Sequence, residues 1–397
     1  MIHGFYFRFY KYIHSQWACI LLSYMAYAVF FCRYLTERLF CKKRYVKYGR
    51  QKAFDYVSSL YAKPETDFHL VRDVLIPEID VSIIVPVYNH ANMIEKNIDT
   101  ILTQETQYRY QLILVDDGST DGAQEIIKKY INRQDIKVIF QENQGIGGAR
   151  NTGLANANGK YIMFVDCDDT VDNTLVQTLM DAAYSSDCDI AMCAHNLVKV
   201  RNGKTYSVIP NVYPDCDMMG YPEDALVLNY AGLPWCKVYK RELWDHVSYL
   251  PGYWFEDTVI HCLLFTQCTE FKYISKVCYQ YLWYEDNFSH TQGNGNRIKN
   301  IDIYWMLCDI LKHYKSMELP KNSKYEIVLL KHLSAYYYPK ISGMDSEVID
   351  ALFVLACDLY QQYGSPEIKV PYMLRVTRKA LMENDINLWK LSLKYQK

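Results

Sequence analysis

Four β-branched apolar runs, each giving way at its carboxyl end to polar or acidic residues, constrain this chain more than any other feature. VSIIVPV (81–87) reads as a strand of the type buried on both faces, and LILVDD (112–117), IKVIF (136–140) and KYIMFVD (160–166) read as further strands, with CDIAMC (188–193) as a fifth. Helical stretches separate them. Ile94, Ile98, Ile101 and Leu102 share one face, and further helices follow near Asp121, after the Gly-rich turn around Gly145, and from Asn173. This alternation predicts an α/β fold with a doubly wound, mainly parallel sheet and helices on both faces. Ligands of such sheets sit beyond the carboxyl ends of the strands, where the polar motifs fall here.

The chain has 397 residues, half of them hydrophobic, so a large packed core is available and disorder is excluded. A formal net charge of −2 gives no electrostatic basis for nucleic acid as a partner. The 13 cysteines contain no C-x-x-C pair, and Cys193, Cys262 and Cys278 sit in apolar runs. That pattern predicts reduced, buried thiols of a cytosolic protein rather than a disulfide framework or a zinc site.

Between Lys11 and Arg33 no Lys, Arg, Asp or Glu occurs, and WACILLSYMAYAVFFC is strongly apolar. About 20 such residues suffice to span a bilayer. The basic residues that follow (Arg33, Arg38, Lys42, Lys43, Arg44 and Lys47) put the bulk of the chain on the cytoplasmic face if residues 12–32 associate with a membrane. Spanning, lying in the interface and packing on the globular body all remain open for this segment. A signal peptide fits worse, because basic sequence and unpaired cysteines follow.

The segments read as an apolar helical region (1–43), a connector (44–79), a catalytic-type α/β domain (80–296) and a helical C-terminal region (297–397). In the last, Ile298, Ile301, Trp305, Cys308 and Leu311 keep helical spacing.

Asp166-Cys167-Asp168-Asp169 directly after a strand is the sharpest chemical motif. Clustered carboxylates repel unless a cation compensates, and hard oxygen ligands suit Mg²⁺ or Mn²⁺ held together with substrate phosphates. The plainer reading, with Asp169 and Asp172 opening the next helix, does not account for Asp166. Asp116-Asp117-Gly118-Ser119-Thr120-Asp121 ends another strand; a carboxylate there can accept from a base or ribose, or the segment is a capped turn. Pro86, Tyr88 and Asn89 follow the first strand, where an aromatic ring can stack on a nucleobase or simply line a turn. In Asn143-Gln144-Gly145-Ile146-Gly147-Gly148-Ala149-Arg150-Asn151, a Gly-rich helix start presents N–H groups to anions, and Arg150 can pair with a phosphate or with one of the acidic clusters. The stretch matches neither a dinucleotide fingerprint nor a Walker loop. Trp254-Phe255-Glu256-Asp257 offers a carboxylate for general-base work, or two acids opening a helix.

Taken together, VSIIVPVYN, LILVDDGSTD, ENQGIGGARNTG, GKYIMFVDCDD, CKVYKREL and FEDTVIH resemble glycosyltransferase family 2, the inverting enzymes of the GT-A fold, from about Val81 to His290. The resemblance implies a nucleotide-sugar donor, usually a UDP-sugar, and a glycan acceptor; the membrane-like N-terminus motivates a lipid-linked one. It implies that Pro86, Tyr88 and Asp117 line the nucleobase pocket, with Asn89, Gly118, Gly147, Arg150 and Cys167 near the donor. By the same carry-over Asp166 contacts ribose or metal, Asp168 is the main ligand of Mn²⁺ or Mg²⁺, and Asp257 is the catalytic base. His290 is the candidate for a further metal ligand. The sequence departs from the family pattern in placing His90, Ala91 and Asn92 where a Glu often stands, and in lacking the Q-x-x-R-W element of processive synthases, which implies transfer of single sugars. A non-catalytic module of the same fold is the main alternative. A nucleotidyltransferase fits less well, since PVYNHANM has no basic Gly-rich loop for a triphosphate.

Overall fold

The apolar segment near the start forms one helix, α1 (Gln16–Phe40), of 25 residues. The computed structural model describes residues 16–46, 48–66, 68, 77, 79–201, 204–212, 232–284 and 297–395. Among these, no helix is long and apolar enough to cross a membrane. Ser23 and Tyr34 are buried, and Phe30, Phe31 and Tyr34 pack edge-on against Tyr372 and Tyr395 from the far end of the chain. Helix α2 (Arg50–Leu60) follows, with Ala53 and Val57 buried. The residues divide into two compact units: one holds 65–287, and the other is built from both chain ends, 1–64 and 288–397.

In the first unit the expected alternation appears as β1 (Ile79–Val87), α3 (Ile94–Leu102), β2 (Tyr110–Asp116), α4 (Ala123–Lys128), β3 (Ile136–Phe140), α5 (Gly145–Ala155), β4 (Gly159–Phe164), β5 (Thr170–Val171), α6 (Leu175–Ser186) and β6 (Ile190–Arg201). Four strands were not foreseen: the two-residue β5 within that series, and β7 (Lys204–Asn211), β8 (Lys237–Lys240) and β9 (Phe271–Trp283). The sheet order is β3-β2-β1-β4-β8-β6-β9-β5, with β7 on β6. Strands β3, β2, β1 and β4 run parallel. The short strand β8 is antiparallel to both β4 and β6, and β6 runs parallel to β9, so the sheet stays mainly parallel across the inserted strand.

Burial explains why the β-branched runs became central strands. Val81 to Val87 are buried without interruption, as a strand covered on both faces requires. Pro86 sits in β1 opposite Val115, past the last residue paired to β4, so its missing N–H costs that ladder nothing. Gly153 lets α5 lie on β1: a Cβ there would stand 2.3 Å from Ile84 Cγ2.

The second unit continues with α7 (Asp302–Ser316), α8 (Ser323–His332), α9 (Ser346–Tyr363), α10 (Tyr372–Met382) and α11 (Ile386–Lys394), the helical character expected after Arg297. Buried Glu326 is satisfied by Arg378, the Tyr360 hydroxyl and the Ser365 N–H, at 3.0, 2.7 and 2.9 Å. His332 is buried, and desolvation, aided by Lys331, lowers its pKa to about 3. A histidine kept neutral by the fold stabilises it above the unfolded value of about 6.5, and that contribution is lost as pH falls toward the folded value. Stability should therefore fall by up to about 1.4 kcal/mol per pH unit between roughly pH 6 and 4. His332→Gln should flatten that slope in denaturant melts followed at several pH values.

Candidate functional site

The acidic turn after β4 is held by backbone and side-chain bonds that leave Asp166 and Asp168 partly exposed. Asn97 of α3 donates from its amide nitrogen to the carbonyls of Asp166 and Asp169, at 2.9 and 2.8 Å. Asp169 is fully buried and accepts from the Tyr279 hydroxyl (2.7 Å) and the Leu282 N–H (2.8 Å). It therefore ties the turn to β9 and does not open a helix. Burial, then the fields of Asp168 and Asp166, pushes its carboxyl well above the usual range. Asp172 does start the helix, accepting from the Thr174 N–H at 3.0 Å. Asp168 is half-buried beside Asp166, and its carboxyl is raised by burial first and by that neighbour second; His90 opposes the shift.

The turn after β2 divides its two acids in the same way. Asp116 is buried and structural: Oδ2 accepts from the Gly118 and Ser119 N–H groups and from Gln124. Asp117 Oδ1 accepts from the Gln141 amide (2.7 Å) and from the Gln144 N–H (2.9 Å) at the start of α5. The protein's own carboxylate thus occupies the Gly-rich helix start, where an anion site was one expectation. Burial raises the Asp117 carboxyl, and the Gln144, Gln141 and Gly145 donors offset part of that. Gly118 has φ of 79°, and a Cβ there would press on the Asn143 nitrogen at 3.2 Å. Asn89, itself at φ 55°, uses its side-chain oxygen to accept from the Thr120 N–H at 2.7 Å, joining the loops after β1 and β2. Tyr88 is half-exposed at the same edge, while Pro86 and Cys167 are buried.

Arg150 joins this region to the Glu256-Asp257 pair. Its side chain is 2% exposed, with Nη2 donating to Asp166 at 2.9 Å and Nη1 to Glu256 at 2.8 Å. The guanidinium also lies over the Tyr249 ring, 5.4 Å from its centroid. The next residue, Asn151, exchanges two hydrogen bonds with the Tyr249 backbone, at 2.9 and 2.8 Å. Gly147 allows the approach, since a Cβ there would be 3.2 Å from Tyr249 Cβ. Of the two pairings open to Arg150 in the sequence, the structure realises the one with the acids.

Asp257 sits in the turn that leads into a helical segment, just after Phe255 at φ 66°. The buried Tyr249 phenol lies in the combined fields of Glu256, Asp166 and Asp257, so acids remote in sequence converge on one region. Lys237 was missed by sequence reasoning, although it stands in the apolar strand of CKVYKREL. It is buried and donates to the carbonyls of Leu233 and Trp235, at 2.7 and 3.2 Å. Desolvation lowers its pKa to about 8, against the opposing field of Cys236, Cys193 and Asp257. His290 lies outside the described residues.

A mainly parallel sheet with carboxylates gathered past the ends of β2 and β4 defines a GT-A type domain. Residues 82–243 match the model of the family described as Glycosyl transferase family 2. The curated relatives include the uncharacterized glycosyltransferase YibD of Escherichia coli, 30% identical over 54% of this chain and 65% of the relative. They also include the glycosyltransferase GlyA of Streptococcus pneumoniae, 31% identical over 51% of this chain and 30% of the relative. A third is the uncharacterized glycosyltransferase EpsJ of Bacillus subtilis, 37% identical over 43% of this chain and 50% of the relative. The aligned region thus spans less than two thirds of each of these relatives. Among solved structures, Staphylococcus aureus TarS 1–349 in complex with UDP-GlcNAc aligns with a TM-score of 0.58 at 19% identity, covering 79% of this chain and 90% of that one. That likeness establishes the fold.

Proposed function

We propose that the chain is an inverting, metal-dependent glycosyltransferase that moves a single sugar from a nucleotide-sugar donor, with a UDP-sugar the first to test, onto an acceptor hydroxyl in cell-surface glycan or polysaccharide synthesis. The observation that carries this reading is the Arg150 bridge, which brings Asp166 and the Glu256-Asp257 turn into one charged region. The fold neighbour was solved with UDP-GlcNAc, which agrees with a nucleotide-sugar donor.

The residues fit a hard divalent cation. Asp168 and Asp166 crowd like charges, and Arg150 bonds only one of the Asp166 oxygens, Oδ1. No group of three or more candidate ligands occurs among the described residues, so an ion held by Asp166 and Asp168 would have to take its other ligands from the donor diphosphate and water. When bound, the ion supplies positive charge against the leaving nucleoside diphosphate. The protein supplies the rest. Tyr88 and Asp117 flank the nucleobase, with Pro86 behind them. Gly118 and Gly147 permit close backbone approach. The Asp257 carboxylate takes the proton from the acceptor hydroxyl as that oxygen attacks the anomeric carbon from the face opposite the diphosphate. Arg150 and Glu256 keep Asp257 on that opposite face. The acceptor is a glycan or lipid-linked sugar, and the work takes place at the cytoplasmic face, beside the membrane.

The test is release of nucleoside diphosphate from a panel of nucleotide sugars with acceptor, with EDTA and then with Mn²⁺. Release that EDTA abolishes and Mn²⁺ restores is expected; donor binding with no turnover for any sugar would leave the chain a binding module. A linked result concerns Asp168→Asn. Removing one of two crowded charges should raise the metal-free Tm by about 2–4 °C, while the upward shift that Mn²⁺ plus nucleoside diphosphate gives the native protein disappears. A variant that keeps the Mn²⁺ shift would remove Asp168 from the metal site.

A further inference from the structure

Helix α1 has two unlike faces. Ser23, Tyr27, Phe30 and Tyr34 recur at helical spacing on the side that meets Tyr372 and Tyr395. The other side is exposed and apolar almost throughout: Trp17 is 83% exposed, Leu21 63%, Val29 73%, Leu39 83% and Phe40 80%, with Tyr24, Met25 and Leu35 between them. Isolated exposed apolar residues are ordinary, but a continuous stripe along a 25-residue helix marks an interaction surface.

Charge identifies the occupant. Helix α1 contains one acid, Glu37, which is half-buried and paired with Arg33 (3.1 Å) and Lys394 (3.2 Å). Arg38 and exposed Lys42, at and beyond the end of the helix, meet no carboxylate among the described residues. A second copy laid on this stripe would bring basic ends or bare apolar surface together without an acid to answer them. An anionic bilayer surface answers both features: acyl chains for the stripe, phosphate and carboxylate headgroups for the cations. Trp17 and Tyr24, apolar with a polar edge, are the side chains favoured at that depth.

We propose that α1 docks the protein on membranes rich in anionic phospholipid, lying in the plane of the interface with its inner face kept on Tyr372 and Tyr395. The helix is thus an anchor shared between bilayer and protein, not a span. The proposal goes beyond the catalytic reading and is separable from it, because vesicle binding is measured without donor or acceptor.

The experiment is flotation of the full chain with liposomes of pure phosphatidylcholine and of phosphatidylcholine with 30 mol% phosphatidylserine (roughly the anionic content of an inner leaflet). Binding to the anionic vesicles should exceed binding to neutral ones by about tenfold or more and weaken with salt. The triple variant Leu21→Glu, Val29→Glu, Leu39→Glu should lose at least roughly tenfold in bound fraction with its thermal unfolding unchanged. Its size by light scattering is compared with that of the native chain. Failure of the native chain to float, equal flotation on both vesicle types, or a variant that still floats would overturn the proposal. So would a native dimer that the variant converts to monomer with no vesicle binding in either, since the stripe would then serve self-association.

Discussion

Asp257→Asn is expected to slow turnover by orders of magnitude while leaving donor and metal binding intact. Asn keeps the shape of the side chain and cannot accept the proton that the acceptor oxygen must shed, so the loss should fall on kcat. General-base contributions are worth about 10²–10⁴-fold, and a decrease in kcat of that order, with donor affinity within about threefold of native, is the predicted result. The turn itself should survive, because its anchoring passes through Glu256 and Arg150 and through the Asn151 clamp on Tyr249. Donor affinity is read by calorimetry with Mn²⁺ present, and kcat by diphosphate release under saturating donor. Native-like kcat in this variant would place the base elsewhere. Equal losses in donor binding and rate would make Asp257 part of the donor site instead.

Much of the fold was legible because each of β1, β2, β3 and β4 carries an apolar run, and in β1 the run is continuous, as a strand buried on both faces requires. β8 and β9 were not. KVYK and FKYISKVCYQYLW carry lysines within them, and their burial is settled by neighbours that are distant in sequence: β8 lies between β4 and β6, and β9 between β6 and β5. The N-terminal helix was legible as a helix and ambiguous in its partner. Only the rings of Tyr372 and Tyr395, more than 300 residues downstream, show which of its faces is already covered.

The site was legible as an inventory of acids but not as a division of labour. Two adjacent aspartates look alike in sequence, yet Asp116 is consumed by three donors while Asp117 stands at the start of α5, and Asp169 is locked to β9 while Asp168 remains partly exposed. Asn97 appears as a polar interruption in an amphipathic helix until its amide is seen holding the Asp166 and Asp169 carbonyls. Burial of a polar group is tolerable only where partners await it, and those partners are fixed by tertiary structure. The same holds for Lys237, a cation in an apolar strand that local pattern could only flag as odd.

Arg150→Met should be the most destabilising single change among the site residues. The guanidinium is buried and serves two carboxylates at once; its removal leaves Asp166 and Glu256 with no counter-charge in a region that also contains Asp168 and Asp257. Breaking a buried pair from one side costs about 3–5 kcal/mol, which for a unit of this size corresponds to a Tm decrease of roughly 6–20 °C. A purely structural role would end there, so the kinetic signature decides between packing and positioning. Arg150→Lys retains one positive charge but cannot fork to two acids on opposite sides. It should recover part of the lost stability while kcat stays at least about tenfold below native and the donor KM changes less, because Asp257 is no longer held to the attacking face. Glu256→Gln tests the other arm of the bridge. If Arg150 acts through Glu256, the loss in kcat for the double variant Arg150→Lys, Glu256→Gln should be clearly smaller than the product of the two single losses. Strict multiplication of the two effects, or a lysine variant with native kcat, would reduce the bridge to a packing feature and detach Asp257 from the Asp166 site that gives it its proposed role.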